Sequence, residues 1–89
     1  MASIRWVAGK RQILRGFEWL PLAEVQRPAD NDESLFYIGV DRLGQVVHAL
    51  PEQSAGALMD AALLTCLRQM RFSPVKYRVT DWAWVTVRW

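Results

Sequence analysis

A chain of 89 residues, 52% hydrophobic and 22% charged, has room for one domain with a single core and is too apolar to be disordered. Its net charge of +2 arises without any run of like charges, so a polyanion partner is not indicated. The lone cysteine, Cys66, excludes an internal disulfide and a cysteine-built zinc site and leaves the compartment open, and no apolar run approaches the roughly 18 residues that span a bilayer.

No signal-peptide pattern is visible at the N-terminus, and Met1-Ala2-Ser3 is compatible with a start fused onto a piece of a longer protein. Ile4–Val7 is short and apolar, Ala8–Arg11 reads as a turn, and Gln12–Arg15 resumes extended character until Gly16 interrupts it. Phe17–Leu22 is aromatic-rich, but Pro21 confines it to an edge or an irregular lead-in. The stretch Pro28–Glu33 is the clearest loop. Residues 1–34 are therefore expected to form an extended arm and acidic loop, without a helix, belonging to the same domain as the rest.

Leu35–Leu50 reads as a β-hairpin. Phe36, Ile38 and Val40 alternate with Leu35, Tyr37 and Gly39, which is period-two character. In the turn, the Asp41 side chain can accept from the backbone two residues on, and Gly44 can take a positive φ at the exit. Gln45–Leu50 is the returning strand, with Pro51 expected to end it. Ser54 then suits an N-cap. Met59, Ala62, Leu63, Cys66, Leu67 and Met70 recur at three- and four-residue steps, one apolar helix face. Arg68 and Arg71 fall in the expected last turn, where positive charge suits the carbonyl end of the helix, and Pro74 blocks continuation. Ser73–Thr80 is a connection.

Trp82–Trp89 alternates again. Ala83, Val85, Val87 and Trp89 form a face that suits packing under the helix, and Trp82, Trp84, Thr86 and Arg88 form the other. Hairpin, helix and strand in that order give an α+β layer: a three-stranded antiparallel sheet with one main helix on one face, plus the extended N-terminal arm. The core is expected over residues 35–89.

Nothing in the sequence assembles catalysis. No P-loop, dinucleotide fingerprint, GxSxG or HExxH occurs, and no nucleophile stands with a base and an orienting group. His48 reads as a strand histidine in register with Val46 and Leu50, and Cys66 as a core residue. Asp30, Asp32 and Glu33 read as a solvated loop, since a calcium site needs a defined ligand ladder with glycine. No cofactor and no metal are expected.

Asp41-Arg-Leu-Gly-Gln-Val-Val47, Leu58-Met-Asp-Ala-Ala-Leu-Leu64, Arg71-Phe-Ser-Pro74 and the alternating terminal strand together resemble the C-terminal domain of TonB-type energy transducers, and the related TolA C-terminal domain. The resemblance covers about residues 35–89 as a ββαβ core and extends weakly to Ile4–Leu22. The YP-x-x-A segment that often precedes the first strand is absent, and Met70 stands where the family usually has tryptophan, so contacts made through that segment are not carried over.

The resemblance implies a mechanical role. Such domains are periplasmic and tethered to the inner membrane. They hold a short segment of an outer-membrane TonB-dependent transporter and transmit work from an inner-membrane proton-driven motor, which would be reached through a part not present in this sequence. Strand addition is the physical route, because an unpaired edge offers backbone donors and acceptors. If the hairpin pairs through its first strand with the last, Trp82–Trp89 is left as the edge. That makes Trp82, Trp84, Val85, Thr86, Val87 and Arg88 the candidate partner-binding residues, with self-pairing into a homodimer as another use of the same edge. The alternative from another class is nucleic-acid binding, on a face built from Arg5, Lys10, Arg11 and Arg15 near Trp6 and Trp19, with Trp82, Trp84 and Arg88 opposite. The signatures of an RNA-recognition motif are missing and the net charge is low, so no nucleic-acid partner is expected.

Overall fold

The computed structural model describes residues 1–19, 32–77 and 79–89. The aromatic lead-in beyond Trp19 and the loop before Asp32 lie outside the described residues. The strands are β1 (Ala2–Trp6), β2 (Ile13–Arg15), β3 (Glu33–Val40), β4 (Val46–Gln53), β5 (Arg71–Phe72) and β6 (Asp81–Arg88), and the helix is α1 (Ala57–Arg68). Four strands form one antiparallel sheet in the order β1-β6-β3-β4, and β2 and β5 pair in a second, small sheet.

The α+β class holds, with one strand more in the main sheet than the sequence pattern suggests and a small second sheet beside it. The expected three-stranded sheet has four strands because Ala2–Trp6 of the arm pairs along β6, in the register Ala2 with Val87, Ile4 with Val85 and Trp6 with Ala83. The boundary at residue 34 also moves, since β3 begins at Glu33. Glu33 stands opposite Arg88 in the β3–β6 ladder, and its carboxylate accepts from the Arg88 guanidinium at 2.9 Å.

The core is the layer between α1 and one sheet face. Phe36, Ile38 and Val40 of β3 and Ala83, Val85 and Val87 of β6 are fully buried, facing Met59, Leu63, Cys66 and Leu67 of the helix. Each fully buried Leu, Ile or Phe contributes on the order of 1.5–3 kcal/mol by leaving water, so this layer is the main source of stability.

The hairpin turn forms as its residues require. The Asp41 carboxylate accepts the backbone N–H of Leu43 at 3.0 Å and of Gln45 at 2.9 Å. Gly44 has φ +86°, and a Cβ built on it would lie 1.9 Å from the Phe72 carbonyl oxygen. The Phe72 N–H in turn donates to the Gly44 carbonyl at 2.9 Å. The turn and the Arg71–Phe72 pair are thus docked to each other, and Phe72 is sunk into the core. Strand β4 continues through Pro51 instead of stopping there. An edge strand tolerates proline because the lost N–H need not belong to a ladder. Register shifts between Leu35 and Phe36 and between Gly39 and Val40 bulge the pair, which turns Val46 inward while His48 faces out.

The helix starts later than Ser54. Gly56 is its N-cap, without a side-chain bond, and Ser54 instead accepts from the Gly56 N–H at 3.1 Å and donates to Asp60. The other Asp60 oxygen accepts the Ala55 N–H at 3.1 Å, so a carboxylate secures the entry from inside the first turn. Arg71 lies past the helix, in β5, yet its guanidinium donates to the Arg68 carbonyl at 2.7 Å and the Met70 carbonyl at 2.8 Å. It serves the helix end from the next strand.

Candidate functional site

Strand β6 carries every residue singled out as partner-binding, and the fold divides them. Val85 and Val87 face the helix at zero exposure. Trp82, Trp84 and Thr86 lie half-buried on the opposite sheet face, and Arg88 is exposed beside Glu33. The expectation of an open edge at Trp82–Trp89 is overturned, because β1 lies on one side of β6 and β3 on the other. The first strand of the hairpin does pair with β6, and the extended arm supplies the strand that closes its other side. Among the described residues, the outer strands of the main sheet are β1 and β4. The β4 edge is interrupted by Pro51 and the two bulges, both devices that blunt lateral pairing.

The pairing of β1 with β6 can be resolved bond by bond. Met1 and Arg88 exchange both backbone bonds, and the Val7 N–H donates to the Trp82 carbonyl at 2.9 Å. In an antiparallel ladder, hydrogen-bonded pairs alternate with unbonded ones. Trp82, Trp84, Thr86 and Arg88 therefore turn their backbone groups toward β1, and Ala83, Val85 and Val87 toward β3. The inward side chains of β1 are Ala2, Ile4 and Trp6. They pack against the core without entering it fully, and Trp6 meets Phe72 edge-to-face at 5.4 Å. Beside them runs a groove of about 740 Å³, lined by Ile4, Trp6, Phe17, Trp19 and Met70 among others.

The outer sheet face carries a row of rings. His48 stacks on Trp82 at 5.3 Å, Trp82 on Tyr37 at 4.8 Å with planes 11° apart, and Tyr37 leans on Trp84 at 4.5 Å. Gly39 makes the row possible. A Cβ there would press on His48, Trp82 and Thr80, each at 3.1 Å. Beyond Trp84, a depression of about 360 Å³ includes Ser3, Arg5, Leu35 and Thr86. In the sequence His48 reads only as a strand histidine in register with Val46, a register that the bulge at Gly39/Val40 breaks, and Tyr37 is set on the outer face by the alternation of β3 without being assigned to a site.

No family model, curated protein or solved structure matches this chain.

The Trp/Arg face considered for nucleic acid is not one surface. Arg5, Trp82 and Trp84 lie on the outer face, whereas Trp6 and Trp19 pack toward the core. Arg15 pairs with Glu18 at 3.0 Å and Arg88 with Glu33. Arg11 is buried. Its Nε donates to Asp81 at 2.6 Å, one Nη donates to the Asp41 carbonyl, and the carbonyls of Ser73, Val40 and Val79 surround the guanidinium at 3.5 Å. One side chain thereby ties the arm to the hairpin turn, to the residue after β5 and to the start of β6. No local sequence signal marks it, because its partners lie 29 to 70 residues away. Cys66 is buried against the sheet, and burial pushes its thiol above the ordinary value. No cluster of three metal-ligating side chains occurs among the described residues.

Proposed function

We propose that this chain is a non-catalytic protein-interaction domain of the kind found at the C-terminus of TonB-type transducers, binding an extended segment of a partner protein as an added strand. The observation that carries this reading is the antiparallel seating of Ala2–Trp6 along β6. An extended five-residue segment already occupies the strand position that the resemblance assigns to a partner. Further support comes from the structural roles of the residues that carry the resemblance. Asp41 and Gly44 close the turn, Phe72 locks onto Gly44, and the helix of Leu58–Leu64 covers the sheet formed by the hairpin and β6. Backbone pairing supplies affinity without demanding particular side chains, while the alternate inward pockets supply selectivity.

On this reading the partner is a segment of an outer-membrane transporter. The domain works in the periplasm, and a tether elsewhere in the protein connects it to an inner-membrane proton-driven motor. The test is an NMR titration of the labelled chain with peptides from the plug termini of outer-membrane transporters. Amide shifts concentrated on Trp82–Arg88 and on β1 are expected. A folded sample that shows no shifts with any peptide of the panel removes the transducer role.

A further inference from the structure

The β1 position is poorly integrated for a strand of the main sheet. The inward residues Ala83, Val85 and Val87 of its neighbour β6, and Phe36, Ile38 and Val40 of β3 beyond it, are fully buried, whereas Ala2, Ile4 and Trp6 are only half-buried and border the 740 Å³ groove. Its backbone bonds run to β6 alone among the described strands. A bend at Val7–Gly9 separates it from Arg11, where the buried guanidinium fixes the chain. Release of β1 therefore needs movement only on its own side of that anchor. The β3–β4 and β3–β6 ladders stay paired, while the core gives up its contacts with Ala2, Ile4 and Trp6.

We propose that the β1 side of β6 is an interaction site holding its own N-terminal strand as an exchangeable occupant. Its partner is an extended protein segment that runs antiparallel to β6 with three inward side chains in the order small, aliphatic, aromatic. The order is read from the present occupant. Ala2 lies opposite Val87, Ile4 opposite Val85, and Trp6 opposite Ala83 with its ring edge-to-face on Phe72. The outward residues Ser3 and Arg5 leave the intervening positions tolerant of polar side chains. This deepens the strand-binding reading by naming the partner's chemistry and adding regulation. A tethered strand on a short link competes at an effective concentration of about millimolar, so β1 keeps weak segments out.

Two measurements on the whole chain decide it. In native-state hydrogen exchange, the Trp84, Thr86 and Arg88 amides, which face β1, are expected to exchange at least tenfold faster than those of Ala83, Val85 and Val87, which face β3. Equal protection across the strand means that β1 leaves only when the sheet does, and overturns the proposal. The second measurement uses Arg5→Pro, which removes a β1 donor aimed at β6 while leaving Ile4 and Trp6 in place. A peptide of residues 1–7 is expected to bind this variant at least tenfold more tightly than it binds the native chain, and the same peptide carrying Trp6→Ser is expected to bind more weakly. Equal peptide affinity for the two chains overturns the proposal, as does a native chain that dimerises by exchanging β1 in sedimentation, since the occupant is then a second copy. If Arg5→Pro does not fold, the exchange pattern of the native chain decides alone. Binding of the residue 1–7 peptide together with silence from the transporter panel removes the transducer role and leaves this site standing.

Discussion

Replacing Arg11 by methionine tests how the arm is held. The Arg11 side chain is 1% exposed and Asp81 is 24% exposed, with 2.6 Å between Nε and the carboxylate. Methionine keeps most of the buried volume and removes every donor. Asp81 is then left partly buried without its cation, and the Asp41 carbonyl loses a charged donor. Breaking a buried pair from one side costs about 3–5 kcal/mol. The partial exposure of Asp81 lets water recover some of that, which places the expected loss at about 3 kcal/mol. With a urea slope of about 1 kcal/mol per molar for a domain of this size, the midpoint falls by roughly 3 M. The assay is urea unfolding followed by tryptophan fluorescence, for Arg11→Met, Asp81→Asn and the double variant. The double variant is expected to lose less than the sum of the two, because each single change already leaves the other group unpaired. A loss below about 1 kcal/mol for Arg11→Met, or strict additivity, refutes the view that this pair locks the arm to the sheet.

Gly44→Ala is expected to destabilise by on the order of 2–4 kcal/mol in the same assay, since it combines a left-handed backbone with a Cβ lying 1.9 Å from the Phe72 oxygen. Ser34→Ala is expected to be neutral or to raise stability by up to about 1 kcal/mol. The Ser34 hydroxyl is fully buried without a partner among the described residues, and its removal relieves a desolvated group. Cys66 is expected to resist thiol reagents in the native state and to label at once in denaturant. Its raised thiol value also sets a sign. The folded state holds the proton more firmly, so the contribution of Cys66 to stability is complete below the ordinary value of 9.0 and declines as pH rises above it. Urea midpoints measured at pH 8 and pH 10 in Cys66→Ala and native chains separate this term from the rest.

Local chemistry was legible wherever one short segment decided the outcome. Asp41 announces the turn because the bonds its carboxylate accepts come from residues two and four positions on, and Gly44 because the turn exit needs a positive φ. The burial of Met59, Leu63, Cys66 and Leu67 follows from helical spacing, and the inward set Ala83, Val85 and Val87 from strand alternation. The position of β6 was not legible in the same way. Edge or centre depends on whether some other segment pairs with it, and Ala2–Trp6 is too short and too near a glycine-containing bend to announce itself as that segment. Helix entry was misplaced by two residues because Ser54 serves Asp60 as well as a backbone N–H, so the best capping residue type was already committed. Strand β5 has two residues and exists only because Phe72 docks on Gly44 and Ile13. Of the candidate site, the outward set of β6 was readable, while its ring neighbours Tyr37 and His48 required the register between three strands.

The central placement of β6 also governs the order in which the chain can acquire its shape. Hairpin and helix are complete in sequence by Arg68, but the strand that joins β1 to β3 comes only at Asp81–Arg88. During synthesis, Phe36, Ile38 and Val40 therefore have β4 on one side but lack their second main-sheet neighbour until the eighties of the sequence leave the ribosome, and β1 waits longest of all with no strand to pair with. A nascent chain halted before residue 81 presents a helix over half a sheet, with one long edge bare and apolar. Such an intermediate is prone to capture or aggregation, so this domain depends on rapid completion of its last strand more than one whose final strand lies at the rim.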